Sequence, residues 1–170
     1  MLGLERGTVR LEPHAEAWHR LFAEEEARVR EASGGRVVAV EHVGSTAVCG
    51  LSAKPIIDIA AAVLAAADAE ACVAPLEKIG YEYRGDGGIP GRYYFVKGDP
   101  RTHHLHMVEL GSDFWRNHLA FRDYLRQHRG AAEEYEKLKR GLASKYLRDR
   151  EAYTEGKSAF IEEVLKKAGA

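Results

Sequence analysis

The sequence predicts an α/β chain of the α+β kind, a mixed sheet flanked by helices with further helices at the C-terminal end. Three observations predict it. Val37–Val43 is a β-branched run, and Pro55–Val63 is nearly all apolar, so both read as strands. Apolar residues recur at helical spacing before the first of these runs and after the second. Beyond Leu110 the pattern turns helical and stays so.

The elements follow in order. Glu12-Pro13 reads as the opening of the first helix, with Pro at its first helical position. Trp18, Leu21, Phe22 and Val29 form its stripe, and Ser33-Gly34-Gly35 ends it. The strand over 37–43 leaves through Gly44-Ser45-Thr46 into a short irregular segment that runs to Ala53. The strand over 55–63 begins with its Pro, where a missing N–H is tolerated. Asp68 is placed as the cap of a helix over 69–79. Tyr81–Arg84 reads as a short strand, and Gly85–Gly91 as a loop by composition. Arg92–Val96 and Thr102–Leu110 read as two further strands. Ser112 caps a helix bearing Phe114, Trp115, Leu119 and Leu125, which Gly130 breaks. Tyr135, Leu138, Leu142 and Tyr146 mark the next helix. Tyr153, Phe160, Ile161, Val164 and Leu165 mark the last.

With 170 residues, the chain reads as a single domain over 1–170, helix plus mixed α/β sheet over 1–110 and helical over 111–170. A composition of 45% apolar and 30% charged residues excludes disorder for its bulk. Twenty-five basic against twenty-six acidic side chains give a net charge of −1, so no global field holds long nucleic acid. Cys49 and Cys72 make no disulfide scaffold. The first ten residues lack a signal-peptide core, and the run from Ile56 to Ala67 is too short to span a bilayer. The expectation is a cytoplasmic protein without membrane contact.

Four features carry chemistry. Gly44-Ser45 after a strand lets backbone approach a phosphate, although the same pair also makes ordinary turns. Asp58 sits among Ile56, Ile57 and Ile59, where a carboxylate needs a partner or a metal, with Lys54, Arg92 or backbone donors as the structural option. In His103-His104-Leu105-His106, His104 and His106 share one strand face and can chelate, or one of them is a hydrogen-bonded core imidazole. Lys157 stands beside the stripe that contains Tyr153, so it either snorkels outward or meets an anion. Arg92 and Lys97 bracket a strand and add positive charge or a solvated hairpin. Gly44-Ser45-Thr46 lacks the frame of a hydrolase elbow, and Gly85–Gly91 lacks the ending of a P-loop. Cys49 near His42 shows no sign of an activated thiolate.

The stretch from Glu41 to Ile59, EHVGSTAVCGLSAKPIIDI, resembles the signature of the GrpB family of bacterial proteins. Gly88–Arg92, Arg101–His106 and Glu151–Lys157 match further family blocks in the same order, so the resemblance runs over nearly the whole chain. Cys49 departs from the Pro that relatives often carry. The resemblance implies a nucleotidyltransferase-like (polymerase-β-like) fold. In that superfamily a Gly-Ser turn holds a nucleoside triphosphate and strand carboxylates bind two divalent metals. Gly44-Ser45 then corresponds to the turn and Asp58 to the first acid. The superfamily pattern is Asp-x-Asp or Asp-x-Glu, whereas this chain has Asp58-Ile59-Ala60. One carboxylate is a poor site for two Mg²⁺ ions. His104 and His106 as ligands would favour Zn²⁺, Mn²⁺ or Ni²⁺ over Mg²⁺.

The expectation is therefore a protein that takes a nucleotide or another small phosphorylated ligand. Gly44, Ser45, Lys54, Arg92, Tyr153 and Lys157 bind it. Asp58, His104 and His106 are the catalytic or metal-holding set, with Mg²⁺, Mn²⁺ or Zn²⁺ as the metal and a nucleoside triphosphate as substrate or ligand. Nucleotidyl transfer, a non-catalytic binding module and a metal-assisted hydrolase built on the histidine pair are the competing functions. All three need Ser45, Asp58 and the two imidazoles to converge on one hollow.

Overall fold

A computed structural model describes residues 1–170. Six helices and five strands run in the order α1 (Ala17–Ala32), β1 (Ala39–Val43), β2 (Ile57–Val63), α2 (Ala66–Lys78), β3 (Tyr81–Tyr83), β4 (Tyr93–Lys97), β5 (His103–Glu109), α3 (Asp113–Gln127), α4 (Arg129–Lys145), α5 (Arg150–Glu155) and α6 (Ser158–Ala168). The strands form one mixed sheet of order β1-β2-β5-β4-β3. Only β2 and β5 pair in parallel; the other three pairings are antiparallel.

Alternation along the strands sorts the side chains onto two faces. Ile57, Ile59, Ala61 and Val63 of β2 and Leu105 and Met107 of β5 pack with Trp18 and Val29 of α1 and with Ala69, Cys72 and Leu76 of α2. This is the main core. The other face carries Asp58, Ala60, His104 and His106, and α3 leads the remaining helices over it. Arg122 of α3 donates to Glu41 and to the His42 carbonyl, and Arg126 donates twice to the Ala47 carbonyl. These bonds fasten α3 to β1 and the turn that follows it. No helix is long and apolar enough to cross a membrane.

Several boundaries differ from the sequence expectation. The first helix begins at Ala17, not at Pro13, because the N–H and C=O of Glu12 both pair with Ala53 and hold the chain extended there. The helix expected over 69–79 starts at Ala66, so Asp68 lies in its first turn and is no cap. The break between α3 and α4 falls at His128; Gly130 lies inside α4. The last stripe is divided between α5 and α6 at Gly156-Lys157. There α5 meets α4 so closely that a Cβ on Gly156 would lie 2.5 Å from the Leu142 Cδ2 methyl. Ser112 does cap α3, its hydroxyl accepting from the Trp115 N–H.

Candidate functional site

Parallel pairing of β2 with β5 sets Asp58 beside His104 and Ala60 beside His106. Antiparallel pairing of β1 with β2 sets Val43 opposite Asp58, so the turn that follows, Gly44–Ala47, begins against the carboxylate. Gly44 has φ +72°, and a Cβ built there would stand 2.9 Å from Asp58 Oδ2. Only glycine serves both conditions. The turn, the carboxylate and both imidazoles line a single cavity of about 580 Å³. Tyr94 of β4, Asn117, His118 and Phe121 of α3, Tyr135 and Lys139 of α4, and Arg150, Tyr153, Lys157 and Ile161 from α5 and α6 close it.

Of the sequence-predicted site residues, Gly44, Ser45, Lys54, Asp58, His104, His106, Tyr153 and Lys157 all stand on this wall. Arg92 does not. Its Nη1 donates to His106 Nδ1 at 3.2 Å, and its other nitrogens hold the carbonyls of Asp86 and Gly87. It is therefore a support behind His106. The partners expected for Asp58 also need correction. Neither Lys54 nor Arg92 pairs with it; His104 Nδ1 at 3.1 Å and His106 Nε2 at 3.4 Å both meet its Oδ1.

These contacts determine the protons. A guanidinium only donates, so His106 Nδ1 accepts and its proton sits on Nε2, facing Asp58. His104 likewise carries its proton on Nδ1 and donates it in a hydrogen bond to Asp58. Its lone pair is then on Nε2, which is buried and has no hydrogen-bond partner. Burial would raise the Asp58 pKa, but the two imidazole donors outweigh it and hold the carboxyl well below its usual range. Burial lowers both imidazoles despite the opposing carboxylate. At neutral pH the trio is one carboxylate with two neutral donors.

The other charged side chains of the wall are basic. Lys54, Arg101, Lys139, Arg150 and Lys157 line it, against the single acid Asp58. Burial and the charges of Lys157 and Arg150 push Lys54 down to about 7. Burial and Lys157 push Lys139 to about 7, and burial pushes Lys157 to about 8 with Asp58 opposing. The ammonium groups of Lys54 and Lys157 stand 5.3 and 4.7 Å from the centre of the Tyr153 ring. Lys139 donates to the Ser52 carbonyl. Three of these residues were not singled out from the sequence. Arg150 precedes Lys157 by seven residues and Lys139 follows Tyr135 by four, and helical spacing could have found both. Arg101 carries no such signal.

A two-metal centre does not fit this donor set. Asp58 Oδ1 is taken by two N–H groups, His106 has its lone pair turned to Arg92, and Ala60 presents a methyl group where a second acid would stand. What remains is the lone pair of His104 Nε2 and the second carboxylate oxygen, Asp58 Oδ2, too few for two ions.

The model of the GrpB protein family matches residues 8–167. The glutamate-rich protein GrpB of Alkalihalophilus pseudofirmus is 39% identical over 97% of this chain and 98% of its own length. The crystal structure of conserved protein GrpB from Enterococcus faecalis superposes with a TM-score of 0.87 at 37% identity, covering 94% of this chain and 96% of that one. A dephospho-CoA kinase of Mycolicibacterium paratuberculosis is 28% identical over 97% of this chain, which spans 47% of the kinase.

Proposed function

The chain belongs to the GrpB family, and from that premise we propose that its cavity binds a nucleotide or another phosphorylated metabolite, with the phosphates among Lys54, Arg101, Arg150 and Lys157. One observation carries this reading. Five basic side chains share a cavity with a single carboxylate, and none of the five has an ion-pair partner. Like charges in a half-buried space are costly until an anion joins them. Phe121, Tyr135, Ile161 and Leu165 give the same cavity an apolar part suited to the rest of such a ligand.

The finer reading concerns turnover. Asp58 orients His104 so that Nε2, once a bound ligand opens the way to it, takes the proton of an attacking hydroxyl; the hydroxyl oxygen bonds to phosphorus as the bond to the departing nucleoside diphosphate or pyrophosphate breaks, and the cations neutralise the charge on that leaving group. This is acid–base assistance to phosphoryl or nucleotidyl transfer, and it routes no step through a metal. His106, held between Arg92 and Asp58, positions the carboxylate.

The test is a titration of the full chain with ATP, other nucleoside triphosphates, pyrophosphate and dephospho-CoA, the last prompted by the kinase relative. A saturable rise in melting temperature is expected for at least one, about 2.7 kcal/mol of stabilisation at a hundredfold excess over Kd. The Lys54→Ala/Lys157→Ala double variant should bind about 10- to 100-fold more weakly. Chelation of divalent ions should leave binding in place. His104→Gln should bind normally and lose any turnover by about 100-fold or more. No shift with any phosphorylated compound would overturn the reading.

A further inference from the structure

A second cluster stands at the corner where the chain enters α1, outside the cavity wall. His14 precedes the helix, His19 lies in its first turns, and Cys49 lies in the loop between β1 and β2. One nitrogen or sulfur atom from each of the three residues lies within 4.8 Å of those of the other two. Cys49 Sγ and His19 Nε2 are 3.6 Å apart, and the His14 and His19 ring centres are 5.7 Å apart. Bonds of ~2.3 Å to sulfur and ~2.0–2.1 Å to nitrogen at tetrahedral angles put two zinc ligands roughly 3.5 Å from one another. The sulfur and the His19 nitrogen already stand at that separation.

His14 supplies the independent observation. Both of its ring nitrogens are shut off from solvent and neither has a hydrogen-bond partner. Its ring is edge-on to Trp18 at 5.5 Å, a contact that gives neither nitrogen a partner. His14 is half-buried, but two ring nitrogens shut off and unmet are costly unless a ligand uses a lone pair. Cys49 is exposed, which leaves the fourth coordination position to water.

We propose that His14, His19 and Cys49 form a binding site for a borderline-soft divalent cation, Zn²⁺, on the α1 side of the sheet. Two imidazoles and one thiolate match the preference of Zn²⁺ for nitrogen and sulfur. The site is separate from the anion cavity but adjoins it. His42, edge-on to His19 at 5.4 Å, meets Thr46 of the cavity turn through Nε2 at 2.8 Å.

The experiment is Co²⁺ titration of the reduced, metal-free full chain. One equivalent should produce thiolate-to-cobalt charge-transfer absorption, and Zn²⁺ should bleach it. Cys49→Ser, a change at an exposed position, should abolish that band. His14→Ala and His19→Ala should each weaken Co²⁺ binding about tenfold or more. Asp58→Asn should leave the band intact, which separates this site from the cavity. Zn²⁺ should also raise the melting temperature of the wild type and not that of Cys49→Ser, a readout that does not require the histidine variants to fold. Absence of the charge-transfer band in the wild type, or its survival at equal affinity in both histidine variants, would overturn the proposal.

Discussion

Asp58 depends on four neighbours that each give something up. Gly44 has no side chain, so backbone at φ +72° fits against the carboxylate. His104 and His106 spend their N–H groups on one oxygen. Ala60 offers only a methyl group on the same strand face. Gly44→Ala strains the left-handed backbone and drives a Cβ into Asp58. It should cost about 1–3 kcal/mol in chemical denaturation, with a matching loss of ligand affinity because Asp58 must move. Unchanged stability would mean that the close approach does not constrain the turn. At this scale Gly44, Ser45, Asp58 and the histidine pair were legible, each being a residue out of keeping with its surroundings. The task of Arg92 was not legible, because fixing a proton on His106 depends on a neighbour across a strand pair.

At the level of elements, a side-chain cap marks the start of two helices, α3 at Ser112 and α5 at Asp149. Ser112→Ala removes the acceptor for the Trp115 N–H and should destabilise the protein by about 1 kcal/mol in a urea titration. A cost near zero would assign the start of α3 to its contacts with β1 alone. Where local signals failed, a longer-range contact had overridden them. Pro13 is a good first helical residue, yet Glu12 is held by its bridge to Ala53. Tyr153 and Val164 have the spacing of one helix, yet the chain bends at Gly156 and Lys157 and brings the lysine to the cavity.

Across the molecule, burial of titratable groups makes the stability of the empty protein depend on pH. Burial and the nearby His19 push His42 down to about 3, and burial pushes His118 to about 4. The unfolded chain binds protons at these sites below about pH 6.5 while the folded chain does not, so stability falls on acidification from there. Lys54, Lys139 and Lys157 lose protons near 7 to 8 in the folded state, against about 10.4 when unfolded. The unfolded chain holds the extra protons in that window, so stability should rise as pH climbs from about 7 to 10. Denaturation at a series of pH values checks both limbs. A phosphorylated ligand should flatten the upper limb by restoring the ammonium charges. A flat upper limb in the empty protein would mean that the lysines are solvated.

The sequence by itself determined the mixed sheet, the helices on either side, the common face of His104 and His106, and the family. All of these follow from local periodicity or from a contiguous motif. Only the tertiary structure decided that Asp58 answers to His104 and His106, that Arg92 stands behind the site, and that Arg101, Lys139 and Arg150 join Lys54 and Lys157 on one wall. These partners lie up to about a hundred residues apart along the chain. Parallel pairing of β2 with β5 and the fold-back of α3 to α6 bring them together. Charge and proton placement depend on distance in space, which residue spacing along the chain does not encode.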